Sequence, residues 1–250
     1  NAVRDMENSS QASLFGDDDG ADIPEPAAPH CEPWTTLDKL NREKEVVGIF
    51  ISGHPLDEFR LEMRYFTTKG GLAVLSQMDL LKNKELRFAG MITEAGHKIS
   101  KNGKPYGVIT IEDYYDSQRL FLFGDDYVRF KDYLVQGWFL HLTGKVQPRR
   151  FSKDENDVEF KINRIELLSD VREKIAKNLH IKVQLGDITD ELSDKMFKTF
   201  GAHKGSNNVK IKVRSIDAEV IMPAKNIRVD LSNELIDKLD ELKELEYYVD

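Results

Sequence analysis

The sequence predicts an α+β chain that is mainly β, and three observations lead there. Apolar residues recur at helical spacing before residue 67 and again after residue 188. Between residues 86 and 168 the period shifts to two. Turn residues then divide that stretch into three strands, a short helix and two strands, the order of a five-stranded OB barrel. The expected architecture is a short helical segment, an OB-fold barrel and a small α+β C-terminal domain.

Each element has its own reason. Residues 1 to 7 read as the end of a helix whose start lies upstream. Residues 8 to 36 change character: Asp17-Asp18-Asp19-Gly20 precedes Pro24, Pro26, Pro29 and Pro33. Such a stretch buries too little surface to offset its ordering entropy, and its prolines disfavour helix and central strand, so it reads as an extended linker. Leu37, Leu40, Val47 and Phe50 lie at spacings compatible with one helical face. Ser52-Gly53-His54-Pro55 stops that helix. A second short helix carries Phe59, Met63 and Phe66 on one face.

Residues 86 to 94 and 107 to 113 are strand-like, with a Lys/Gly/Asn turn between them. Residues 119 to 123 form a third strand, 125 to 135 a short helix, and 139 to 146 and 158 to 168 two more strands. Further on, residues 181 to 185 read as a strand. Residues 189 to 200 read as a helix grouping Leu192, Met196, Phe197 and Phe200, ending at Gly201. Short strands follow at 209 to 213, 218 to 222 and 227 to 229. Ser232 caps a last helix with Leu235, Ile236, Leu239 and Leu242 inward. The expected divisions are 1–36 (helix end, peptide and linker), 37–84 (helical connector), 85–170 (barrel) and 171–250 (terminal domain).

Composition narrows the function. The chain has 250 residues, 40% hydrophobic and 32% charged, with a formal net charge of −8, so it has no global basic footprint for coating nucleic acid by charge alone. Residues 1 to 84 hold 9 basic and 15 acidic side chains; the acidity sits at that end and not on the barrel. Cys31 is the single cysteine, which fits a reducing compartment. No apolar run approaches a membrane span, and no signal peptide is evident. His30, His54, His97, His141, His180 and His203 are scattered without metal-ligand spacing. There is no glycine-rich phosphate loop and no nucleophile elbow. No catalytic residue, metal or cofactor is expected. His54, between Gly53 and Pro55, reads as a turn residue, and Glu112-Asp113 and Asp125-Asp126 as element ends.

Two binding signals remain. Gln11-Ala12-Ser13-Leu14-Phe15 sits beside Gly16-Asp17-Asp18-Asp19 in a polar setting. A short apolar anchor on a tether suits a preformed pocket on a partner, with Leu14 and Phe15 contributing roughly 3–5 kcal/mol before entropy costs. Equally, the pair could finish the preceding helix and pack on it. The second signal is the barrel, where OB folds bind through the loops joining strands one to two and four to five. The first loop region carries Lys98, Lys101 and Lys104, with Tyr106 just beyond; the second carries Arg149, Arg150, Phe151 and Lys153. Arg119, Phe121 and Phe123 extend that surface along the third strand. Basic groups mixed with aromatics suit single strands, where phosphate contacts and base stacking add. Against this, Tyr106 and Phe123 read equally as core, loop lysines as simply solvated, and Asp154, Glu155 and Asp157 oppose the second basic cluster.

The run Leu40-Asn41-Arg42-Glu43-Lys44-Glu45-Val46-Val47-Gly48-Ile49-Phe50-Ile51-Ser52-Gly53-His54-Pro55-Leu56 resembles the bacterial DNA polymerase III alpha subunit. The flanking order agrees: a peptide before it, a barrel after it, a small domain last. The resemblance is strongest from Leu40 to Leu56 and weakest after Val171. It implies that Gln11, Ala12, Ser13, Leu14 and Phe15 form the sliding-clamp motif, anchored by Gln11, Leu14 and Phe15. It implies that the barrel contacts single-stranded template DNA and that the last domain binds the clamp-loader tau subunit, in the cytoplasm at the nucleoid. The family is a DNA-directed DNA polymerase, a nucleotidyltransferase. Its metal-binding palm aspartates and phosphoesterase-like domain have no counterpart in these 250 residues, so this segment is not expected to polymerise. The rivals are an RNA-binding barrel of tRNA-synthetase type, an enzyme, and a structural spacer.

Overall fold

The computed structural model describes residues 32–149, 152, 154 and 157–250. The Gln11 to Phe15 peptide, most of the linker, and Arg150, Phe151 and Lys153 lie outside the described residues. The chain divides into units at residues 1–39 and 40–250. In the first, the Thr35 hydroxyl donates to Asp38 (2.6 Å) and accepts the Asp38 N–H (3.2 Å) at the start of helix α1, Thr36–Val47. Only Leu40 of α1 is buried. Beyond Leu40 the apolar face expected of it is not buried: Val47 is exposed, and Phe50 lies beyond the helix end. Gly48, at φ +86°, closes α1 in a conformation that side chains resist.

Within residues 40–250, a 3-10 turn at Pro55–Phe59 runs into helix α2, Arg60–Tyr65, and a second 3-10 stretch spans Gly71–Leu81. The barrel follows: β1 Glu85–Ile99, β2 Pro105–Glu112, β3 Ser117–Phe123, helix α3 Asp125–Phe130, β4 Phe139–Pro148 and β5 Val158–Leu167. The spatial order is β3-β2-β1-β4-β5, every neighbouring pair antiparallel. β1 serves both halves, pairing with β4 over Glu85 to Met91 and with β2 over Met91 to Ile99. An irregularity between Ile92 and Glu94 bends it to do so, the usual work of a bulge. Alternate residues point inward, and Phe88, Ile92, Ile109, Ile111, Leu122 and Leu140 build the barrel core.

Helix α4, Leu168–Ile175, leads to the terminal domain: β6 Asn178–Gln184, helix α5 Asp190–Ala202, β7 Lys204–Arg214, β8 Glu219–Val229, helix α6 Asn233–Asp240 and β9 Leu245–Val249. Its sheet runs β8-β7-β6-β9, with β6 and β7 parallel and the rest antiparallel. Ser232 accepts the Leu235 N–H and caps α6, as its sequence position implies. Several details differ from the sequence reading; α6, for one, ends at Asp240, before Leu242. Phe197 is 70% exposed, because the stripe 192-196-200 already fills the inward face and residue 197 lies a hundred degrees round the helix. α5 runs past Gly201 to Ala202. β8 is one strand, not two: Pro223 lies inside it, tolerated because β8 is an edge.

The connector is shared between two cores. Leu56, Leu61 and Phe66 pack with Leu179, Ile181 and Leu235 of the terminal domain. Leu72 and Leu75 pack with the barrel interior. A buried ion pair keys the first contact: Arg172 Nε and Nη2 hold Glu62 at 2.6 and 2.8 Å. The same guanidinium donates to the Leu231 carbonyl and to Asn233. Among the described residues, no helix is long and apolar enough to cross a membrane.

Candidate nucleic-acid interface

The period-two pattern of β3 sends Leu120 and Leu122 toward the interior and Arg119, Phe121 and Phe123 outward. Register then decides which β2 side chains join them. Tyr106 pairs with Phe123, Val108 with Phe121 and Thr110 with Arg119, while Lys98 of β1 flanks Tyr106. Three rings therefore form one ladder on the outer face. Tyr106 and Phe123 stack with centroids 5.1 Å apart and planes 27° apart; Phe121 and Phe123 lie 6.0 Å apart and 5° from parallel.

Phe121 and Phe123 remain 51% and 57% exposed. Phe123 is thus a surface residue, and Tyr106 is half-buried beside it. The sequence left both open between core and surface. The signal that could have settled Phe123 was its spacing of two from Phe121 and of one from the buried Leu122.

Cations border this ladder. The β1–β2 turn is fixed by Ser100 N–H on the Lys104 carbonyl (2.9 Å) and Gly103 N–H on the Ser100 carbonyl (2.9 Å), with Gly103 at φ +71°. It presents Lys101 and Lys104 to solvent, next to Lys98. Lys98, Lys101, Lys104 and Arg119 form no ion pair among the described residues. Arg149 differs: its guanidinium lies 3.4 Å from the Asp157 carboxylate, and its N–H donates to the Asp157 carbonyl. The structure therefore brings together Lys98, Lys101, Lys104, Tyr106, Arg119, Phe121 and Phe123, and places Arg149 in a pair at the start of the β4–β5 loop.

Such a surface can attract phosphates and offer flat rings to bases. Phe121 and Phe123 are over half exposed yet stacked, so they present π-faces without a packing role in the interior. The acidic side chain nearest in register is Glu94, which accepts from the Thr110 hydroxyl and is separated by Thr110 from Arg119.

The signature segment is built the opposite way. Glu43 accepts the N–H groups of Ile51 (2.9 Å) and Ser52 (2.8 Å) and the Ser52 hydroxyl. Lys44 pairs with Glu112 at 2.7 Å and lies 4.6 Å over the Phe50 ring. His54 Nδ1 accepts the Leu56 N–H, and Asp57 accepts the His54 N–H, a reciprocal cap. Asp57 also takes the Tyr114 hydroxyl at 2.9 Å. Burial and that carboxylate push the Tyr114 phenol well above its ordinary range. Burial lowers the His54 pKa, against the pull of Asp57 and Glu112. Asp113, fully inside, accepts the N–H groups of Leu72, Tyr115 and Asp116. No group of three or more His, Cys, Asp or Glu side chains fit to hold a metal occurs among the described residues.

Residues 86–168 match the family described as OB-fold nucleic acid binding domain, and residues 179–250 match DNA polymerase III alpha subunit, C-terminal domain. A DNA polymerase III subunit alpha from Saccharopolyspora erythraea is 28% identical over 217 residues, 82% of this chain and 18% of that protein. Another, from Vibrio cholerae, is 23% identical over 250 residues, 96% and 21%. The chain thus spans about a fifth of the length of these curated relatives. A solved mitochondrial single-stranded DNA binding protein from S. cerevisiae aligns over 35% of this chain and 95% of its own, at 15% identity and a TM-score of 0.26. Across its barrel, its terminal domain and most of its length, the chain is similar to the C-terminal region of the bacterial replicative DNA polymerase III alpha subunit.

Proposed function

We propose that this chain is the non-catalytic tethering part of a bacterial replicative polymerase, working in the cytoplasm at the nucleoid. The barrel contacts single-stranded template DNA, the 11 to 15 peptide captures the sliding clamp, and the terminal domain docks the clamp-loader tau subunit. The observation that supports the first role most is the Tyr106–Phe123–Phe121 ladder, exposed at Phe121 and Phe123, beside four cations that form no ion pair among the described residues. Each base stacked on such a ring adds roughly 1–3 kcal/mol. The clamp role rests on the Gln-Ala-Ser-Leu-Phe pattern, and the tau role on the family likeness of residues 179–250. Linked sites raise one another's effective concentration, so modest affinities give long residence at a primer end.

Matched DNA and RNA oligomers competing for the purified chain test the barrel. Preference for DNA supports the template role; preference for RNA overturns it in favour of a synthetase-type barrel. Clamp pull-down with Leu14→Ala and Phe15→Ala tests the peptide, and undiminished capture by that double variant removes it.

A further inference from the structure

The terminal domain carries an apolar trough that the described residues leave uncovered. Helix α5 packs on the sheet beside β8, and between them lies a hollow of about 240 Å3. Val183, Leu192 and Phe200 form its buried floor. Among the described residues every lining side chain is apolar except Ser193. Its rim stays in water: Phe197 is 70% exposed, Met222 46% and Ile188 41%. Scattered exposed apolar residues need no explanation, but a concave cluster marks a site for a partner.

A second hollow, about 720 Å3, adjoins the first and shares Phe197, Phe200 and Ile227 with it. Here the lining changes sign. Lys204, Lys225 and Arg228 are all exposed, and none forms an ion pair among the described residues. No acidic side chain lines either hollow among those residues. The trough is therefore greasy at one end and cationic at the other.

We propose that this trough docks a short peptide whose apolar residues are followed by carboxylates. The apolar residues fill the space between Phe197 and Met222, and the carboxylates meet Lys204, Lys225 and Arg228. A protein segment fits better than a nucleic acid strand. Among the described residues Phe197 is the one exposed ring of the lining, and the floor is mainly aliphatic, so successive bases find no stacking ladder there of the kind on β2 and β3. β8 is an edge strand, so an extended peptide can run along it. This deepens the docking role given to the terminal domain. It rests on that role for the partner's identity, not for the chemistry of the site.

The probe is a short labelled peptide with a Leu-Phe-Leu run followed by a block of aspartates, titrated by anisotropy against the full chain. Saturable binding is expected, weakened by about 10-fold or more with Phe197→Asp, as for an anchor in a pocket. Lys225→Glu with Arg228→Glu is expected to weaken it and flatten its salt dependence. Phe197 is mostly in water, so its variant keeps the wild-type thermal midpoint, measured alongside. The proposal is overturned by absent binding, by binding indifferent to Phe197→Asp, or by an oligothymidylate probe that displaces the peptide. The tau subunit is measured on the same two proteins. Equal tau binding to both places tau elsewhere and leaves the docking role intact. Tau binding lost in Phe197→Asp supports the trough. Peptide binding without tau binding supports the trough and removes tau as its partner.

Discussion

The outer face of β2 and β3 and the segment Leu40 to Leu56 both stand out in the sequence, and the fold treats them oppositely. On the barrel face, Phe121, Phe123, Lys98, Lys101, Lys104 and Arg119 reach solvent, and the cations lack counter-charges among the described residues. In the signature segment the polar groups of Glu43, Lys44 and His54 meet partners within the connector and the end of β2. A distinctive motif therefore need not be a ligand site. Side chains already satisfied by the fold hold position, whereas side chains left without partners are available to something else.

The contrast can be broken most forcefully at the buried pair that keys connector to terminal domain. Glu62→Ala strands the Arg172 guanidinium, and breaking such a pair costs about 3–5 kcal/mol. Urea denaturation should show that loss, with oligonucleotide affinity of the folded fraction unchanged. A shift below about 1 kcal/mol would mean that the pair does not key the contact.

Phe121→Ala with Phe123→Ala should do the reverse. Both rings are over half exposed, so stability stays within about 1 kcal/mol while each base loses roughly 1–3 kcal/mol of stacking. Next in size comes Glu43→Ala, which leaves the Ile51 and Ser52 N–H groups to water and costs about 1 kcal/mol, again without touching affinity. Weaker affinity in this variant would place the signature segment at the ligand.

pH gives the smallest effect. Burial lowers the pKa of His54 and His141 below the ordinary 6.5. His54 uses its unprotonated Nδ1 as an acceptor, and His141 donates from Nε2 to the Phe66 carbonyl while its buried Nδ1 has no partner. The unfolded chain binds more protons than the fold below pH 6.5, so their contribution is full above that pH and fades as pH falls. The urea midpoint should drop on acidification, and the drop should shrink in His54→Asn with His141→Gln. An unchanged drop removes both histidines from the effect.

Much of this was legible in the sequence. The five barrel strands show period two with Gly, Asn and Asp at their turns, and Ser232 announces its helix. Other elements depend on distant pairing. β9 went unread because five residues, Leu245 to Val249, become a strand only by lying against β6. β8 looked broken at Pro223 because its edge position is invisible locally. On the candidate site, the alternation of Arg119, Phe121 and Phe123 was readable. The ladder was not, since it needs the register that sets Tyr106 opposite Phe123. The role of the signature segment was equally hidden, as Lys44 finds Glu112 far along the chain.

The most direct test of the barrel's assignment is a titration of labelled oligothymidylate over a range of salt, with wild type and the Phe121→Ala, Phe123→Ala variant. Four phosphate contacts from Lys98, Lys101, Lys104 and Arg119 give a log–log salt slope of about −3 on a single strand. The wild type should show that slope, and the variant should keep it while binding at least about 10-fold more weakly. A flat slope, or equal affinity for both proteins, would contradict the account.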